Sequence, residues 1–158
     1  MDSQGRLITR TVWITVFKGV VFMADFNKSF KSKVLVVPNS VKVSGGLKRM
    51  KMEDPEFEKY FDVYGEDQVE TRYILSTSLM ERITRLLQKL REQGAGSMRL
   101  SFVDSQLFIA IELGLSFLKI PIFRKVSYKH LLDYYEGLKL LYDIVEELNL
   151  NTRIWSKS

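Results

Sequence analysis

Between Asp54 and Leu75 the chain reads DPEFEKYFDVYGEDQVETRYIL, and no other stretch constrains the fold so tightly. Asp54 before Pro55 is a strong helix start. The carboxylate can accept from free backbone N–H groups, and the fixed φ of proline suits the first helical position. Phe57, Tyr60, Phe61 and Tyr64 then recur at i, i+3, i+4 and i+7, which predicts a helix with one apolar face. Gly65 ends it. Asp67 and Glu70 have capping-box-like spacing for a second short helix that runs to Leu75 and carries Tyr73.

Upstream, Thr11 to Phe17 alternates, with Val12, Ile14 and Val16 on one side and Trp13, Thr15 and Phe17 on the other, which predicts a strand. Gly19 is placed for a bulge or bend before the strand resumes from Val20 to Phe26. Lys33 to Val37 is a short β-branched run stopped by Pro38-Asn39-Ser40, and Val41 to Val43 is expected to pair briefly before the Gly45-Gly46 turn.

Downstream, Ser76 or Ser78 starts a third helix. Its stripe of Leu79, Ile83, Leu86, Leu87 and Leu90 stops at Gly94-Ala95-Gly96. Met98 to Phe102 and Leu107 to Ile111 read as a hairpin across Val103 to Gln106, and Phe117 to Phe123 as extended around Pro121. Ser127 caps the clearest element, a helix from Tyr128 to Leu148. Leu131, Tyr135, Leu138, Val145 and Leu148 on it are expected to face the sheet. No repeat or linker interrupts the 158 residues. The expectation is one α+β domain over residues 1–158, an antiparallel sheet packed by several helices including a long C-terminal helix.

Several kinds of chemistry are excluded by what the chain lacks. It has no cysteine, so thiol catalysis, disulfides and thiolate metal sites are ruled out, and a single histidine rules out paired imidazoles. His130, three residues after Ser127, needs an orienting partner and a nucleophile to act as a base, and Ser127 is better explained as a cap. The carboxylates Glu53, Asp54, Glu56, Glu58 and Asp62 spread over several faces of the expected helix and lack the loop spacing of a calcium site. They read as a solvated face that offsets the helix dipole. Gly94-Ala95-Gly96-Ser97 has no following Lys-Ser/Thr and is not a phosphate loop, and Ser44-Gly45-Gly46 is no better placed. No catalytic, cofactor-binding or metal-binding residue is assigned, and no cofactor is expected.

Charge is distributed unevenly. Residues 1–52 hold ten lysines and arginines against two acids, whereas residues 53–158 hold fourteen against seventeen. The stretch from Glu53 to Glu70 alone has eight acids and one base, Lys59. Basic and acidic parts that complement each other inside the fold are the favoured explanation. An anionic membrane surface comes second, contacted by Lys28, Lys31 and Lys33. Nucleic acid is not expected, since no recognition helix, RNP-like strand or zinc module is present. Arg72, beside many carboxylates, is expected to tie Asp67 or Asp62 in place. Arg153 and Trp155 on the final segment either anchor the chain end or add to a contact surface.

The pattern Asp54-Pro55-x-Phe57-Glu58-Lys59-Tyr60-Phe61-x-Val63-Tyr64-x-x-Asp67-Gln68-Val69-Glu70-x-Arg72-Tyr73-Ile74-Leu75 resembles a bacterial family of unknown function, DUF3137. Val16-Phe17-Lys18-Gly19, Ala24-Asp25-Phe26-Asn27 and the ending from Ile144 to Trp155 fit it too, so the likeness runs over roughly residues 12–155. Ser76-Thr77 departs from it, where such sequences often open a helix with Thr-Pro. Members often carry hydrophobic membrane segments before the shared region. The resemblance therefore implies a soluble fragment of a longer membrane-tethered protein, on the cytoplasmic face, and brings no catalytic residues.

Within the chain itself no stretch reaches the ~20 apolar residues of a spanning helix, because Lys18 and Glu112 interrupt the two most apolar runs. Met1 to Arg6 lacks a signal-peptide layout and reads as a natural loop or the remnant of an excised fragment. Three functions follow in order of preference. The first is a non-catalytic domain acting through a protein partner or an anionic membrane surface. The second is a small-molecule or lipid-binding module with a pocket between sheet and aromatic helix. The third is an enzyme. Oligomeric state is left open.

Overall fold

The computed structural model describes residues 11–26 and 28–113, together with Tyr128, Lys129, Leu132, Tyr135, Lys139, Tyr142, Glu146 and Glu147. In chain order the elements are β1 (Gly19–Asp25), β2 (Val34–Pro38), β3 (Lys48–Met50), α1 (Pro55–Glu58), β4 (Phe61–Gly65), α2 (Gln68–Ile74), α3 (Thr77–Glu92), β5 (Met98–Val103) and β6 (Gln106–Glu112). The six strands form one sheet in the order β1-β6-β5-β2-β4-β3. Every neighbouring pair is antiparallel. The expected α+β class with an antiparallel sheet holds.

Alternation along each strand divides the sheet into two faces. One face carries Val34, Val36, Phe61, Val63, Met98, Leu100, Phe102, Leu107, Ile109 and Ile111, all buried. Against it pack Ile74 of α2 and the stripe Leu79, Ile83, Leu86, Leu87 and Leu90 of α3, which completes a single core. Phe26, Phe30 and Phe102 meet edge to face within that core, with the Phe26 and Phe102 ring centroids 5.1 Å apart. Strand register places Met23, Phe108, Ser101, Leu35, Tyr64 and Arg49 in one row across the opposite face.

Local signals act as expected where they are self-contained. The Ser76 hydroxyl accepts from the Leu79 N–H at the start of α3. Its end closes with Ala95 N–H donating to Leu90 C=O at 2.9 Å and Gly94 N–H to Arg91 C=O at 3.0 Å, the paired bonds of a Schellman motif. Gly94 at φ 87° supplies the left-handed residue that this closure needs. The β5–β6 hairpin turns on Asp104 and Ser105, both at positive φ (50° and 62°), as a two-residue primed turn requires.

Several expectations are corrected. The helix predicted through Tyr64 is only one turn, α1, capped by Asp54, and Phe61 onward is strand β4. A short isolated helix is marginal. The same residues gain backbone partners on both sides, from β2 and β3. Phe57 and Phe61 both reach the core, their centroids 5.1 Å apart, while Tyr64 points to the other face. No strand forms over residues 11–17: Trp13 is 94% exposed and Val16 89%. Val41 to Val43 does not pair, and β3, a short polar strand, lies further on.

Gly19 is needed for close approach rather than for a bulge. A Cβ there would lie 1.9 Å from the Ile111 carbonyl oxygen and 2.9 Å from the Phe17 ring. The long C-terminal helix is not established. Only eight positions between 128 and 147 are described, each helical, and Leu131, Leu138, Val145 and Leu148 lie outside the described residues. Tyr135, expected to face the sheet, is 64% exposed. The Glu147 carboxylate accepts from Arg85 Nε at 2.7 Å and Lys89 Nζ at 2.8 Å, which ties that segment to α3. The extended segment expected around Pro121, and Ser127 and His130, also lie outside the described residues.

Candidate functional site

The three lysines singled out for surface contact lie on the connection between β1 and β2, and that connection is clipped to α2 by its backbone. Asp67 caps α2, accepting from the Glu70 N–H at 2.7 Å, and so fixes the first turn from which Glu70 projects. One Glu70 carboxylate oxygen accepts from Lys31 N–H at 2.8 Å. The other accepts from Ser32 N–H at 2.9 Å and from the Ser32 hydroxyl. Glu66 repeats the device on Lys33 N–H at 3.1 Å.

The Ser32 hydroxyl, followed by the Lys31 N–H, holds the Glu70 carboxyl below the usual carboxylate range. Lys28 is not free for solvent. Its Nζ donates to the Tyr73 carbonyl at 2.6 Å and lies 4.7 Å from the centre of that ring. A cation is favourably placed there, at the carbonyl end of α2. Lys31 and Lys33 remain exposed.

The same complementarity recurs elsewhere. Asp62 takes Arg49 Nη2 at 2.7 Å and Nε at 3.0 Å across neighbouring strands. The Glu58 carboxylate accepts from Met52 N–H at 2.7 Å. Arg72, expected to tie Asp67 or Asp62, meets neither; its Nη1 lies 3.3 Å from Glu53 Oε1. Both of those side chains are exposed, and such a pair contributes little. The acidic stretch from Glu53 to Glu70 thus folds back onto the basic first third. Arg153 and Trp155 lie outside the described residues. Lys28, Lys31 and Lys33 share the β1–β2 connection, with Lys28 engaged on Tyr73; Arg72 is tied to Glu53.

What the sequence reading missed is the apolar strip before and along β1. Val12, Trp13, Ile14 and Val16 are exposed, and so are Val21 and Met23 on the strand itself. The available signal was in β1, where Val21 and Met23 alternate with Val20 and Phe22, so both faces are apolar and only one can meet the core. Glu66 and Glu70 were also missed as clamps, though Glu70 was seen as a capping residue. Glu70 and Glu147 are both shifted downward, Glu147 chiefly by the Lys89 hydrogen bond. Among the described residues no group of three His, Cys, Asp or Glu side chains could hold a metal ion. No helix among them is long and apolar enough to cross a membrane.

Fold and surface together define an α+β domain built on a six-stranded antiparallel sheet, with an apolar strip beside one sheet edge. The family described as "Protein of unknown function (DUF3137)" matches residues 15–150, and the chain belongs to it. No curated protein and no solved structure matches the chain.

Proposed function

We propose that this chain is a non-catalytic domain that acts by surface contact, within a protein tethered at the cytoplasmic face of a membrane. The observation that carries the contact reading is the exposed strip of Val12, Trp13, Ile14, Val16, Val21 and Met23. Single exposed apolar residues are ordinary, but six within twelve positions of the chain support a contact reading. A protein partner suits this strip best, because it adjoins an open strand edge. Contact with an anionic membrane surface is the second reading, favoured by the exposed Lys31 and Lys33. A small-molecule pocket beside an aromatic helix loses its basis, since Phe57 and Phe61 are buried in the core.

Replacing Val12, Trp13, Ile14 and Val16 together by Ser tests the contact reading. A contact surface outside the core should leave chemical-denaturation stability within about 0.5 kcal/mol per site of the parent. Loss of several kcal/mol, of the size a core truncation gives (about 2–5 kcal/mol per large side chain), would show that the strip stabilises the fold and would end the reading.

A further inference from the structure

The structure assigns the β1 edge a partner: we propose that a second copy of this chain pairs with it, strand to strand and antiparallel, about a two-fold axis. This rests on the contact reading above and names its partner. The first ground is which backbone groups are free. Lys18 C=O accepts from Leu113 N–H at 3.2 Å, and Phe26 N–H donates to Ser105 C=O at 2.9 Å. With the register of β1 on β6, these two bonds settle the alternation. Even-numbered residues of β1 face β6. The N–H and C=O groups of Gly19, Val21, Met23 and Asp25 point to the free edge, and no hydrogen bond from a described residue reaches them.

The second ground is self-complementarity. With Phe22 on the two-fold, Val21 stands opposite Met23 of the second copy, and Gly19 opposite its Asp25. All four outward-facing residues are then used, both apolar side chains find an apolar neighbour, and no like charges meet, as a stable cross-strand pairing needs. This matters for a chain with a net charge of +5.

The third ground is the contrast between the sheet's edges. β3, at the far edge, is three residues long and carries Lys48 and Arg49, the usual protection against pairing. β1 is seven residues long, with Val21 and Met23 exposed and no lysine or arginine within it. An open edge on one side and a protected edge on the other give a closed dimer instead of a growing ribbon.

Sedimentation of the 158-residue chain over a concentration series, joined to amide exchange at residue level, tests this. The expected result is a monomer–dimer equilibrium in which the Val21 and Met23 amides slow as the dimer forms. The Val20 and Phe22 amides, bonded to β6, stay protected at every concentration. Met23→Lys, at a side chain 65% exposed, should keep the fold and weaken the dimer about tenfold or more. A chain that stays monomeric at its highest soluble concentration would overturn the proposal. So would a dimer whose Val21 and Met23 amides exchange freely, or open-ended assembly. If the chain stays monomeric while the four-Ser variant keeps its stability, the self-pairing fails and the contact reading stands.

Discussion

Glu70 shows how much one side chain can organise. Its two oxygens take both N–H groups of the Lys31–Ser32 turn and the Ser32 hydroxyl, and its own N–H is held by Asp67. These donors favour the charged carboxylate and lower its pKa in the folded state, so its stabilising contribution is present above the unfolded carboxyl value of about 4.3 and fades as the pH drops below it. Glu70→Gln keeps the shape and removes the charge. The difference in urea midpoint between parent and variant should therefore be full at neutral pH and shrink on acidification below that value. A difference that stays constant into acid would show that the charge of Glu70 plays no part in fixing the turn.

At the level of elements, the β5–β6 hairpin was legible because its signal is local: two alternating runs separated by Val103 to Gln106, of which Val103 and Gln106 extend the strands and leave a two-residue turn. What the residues did not announce is the strain in the turn. Ser105 sits at φ 62°, where a side chain with a Cβ costs about 1–2 kcal/mol relative to glycine. Ser105→Gly should raise stability by about 1 kcal/mol in chemical denaturation. An unchanged or lowered midpoint would mean that the Ser105 side chain contributes something glycine cannot replace. Strand β4 is the opposite case. Phe57, Tyr60, Phe61 and Tyr64 satisfy a helical period, while Phe61, Val63 and Gly65 also satisfy a period of two. Periodicity by itself could not choose between them. Two flanking strands did, by offering hydrogen bonds to both sides of the backbone.

Over the whole molecule, part of the acidic stretch folds back onto the basic first third. Arg49 meets Asp62, and the segment carrying Lys31 and Lys33 is gripped by Glu66 and Glu70. Lys31 and Lys33 stay exposed on that segment, and Lys18, Lys42, Lys48 and Lys51 are exposed elsewhere in the first third. Two lysines near anionic lipid supply about 2 kcal/mol, a weak and salt-sensitive interaction. Vesicles containing phosphatidylserine should thus bind the chain only at low salt, and Lys31→Glu with Lys33→Glu should abolish that binding. Lys28 is better left unchanged in such a test, since its ammonium holds the end of α2. Equal binding to neutral vesicles, or none at low salt, would remove the membrane-surface reading.

The sequence by itself determined what short-range physics can settle. Asp54, Asp67 and Ser76 announce the starts of α1, α2 and α3 through caps that depend on a few neighbours. The stripe of α3 specifies its buried face, and Gly94 its end, because helix periodicity and left-handed turns are properties of adjacent residues. Absence of cysteine and a single histidine bound the chemistry without any coordinates. Tertiary structure alone decided whether Phe61 to Gly65 is helix or strand, which carboxylate meets which cation, and that β1 lies at the edge of the sheet. Each of these depends on pairing between segments far apart in the chain. Strand order is set by which backbones and faces satisfy one another, and no local pattern records that choice.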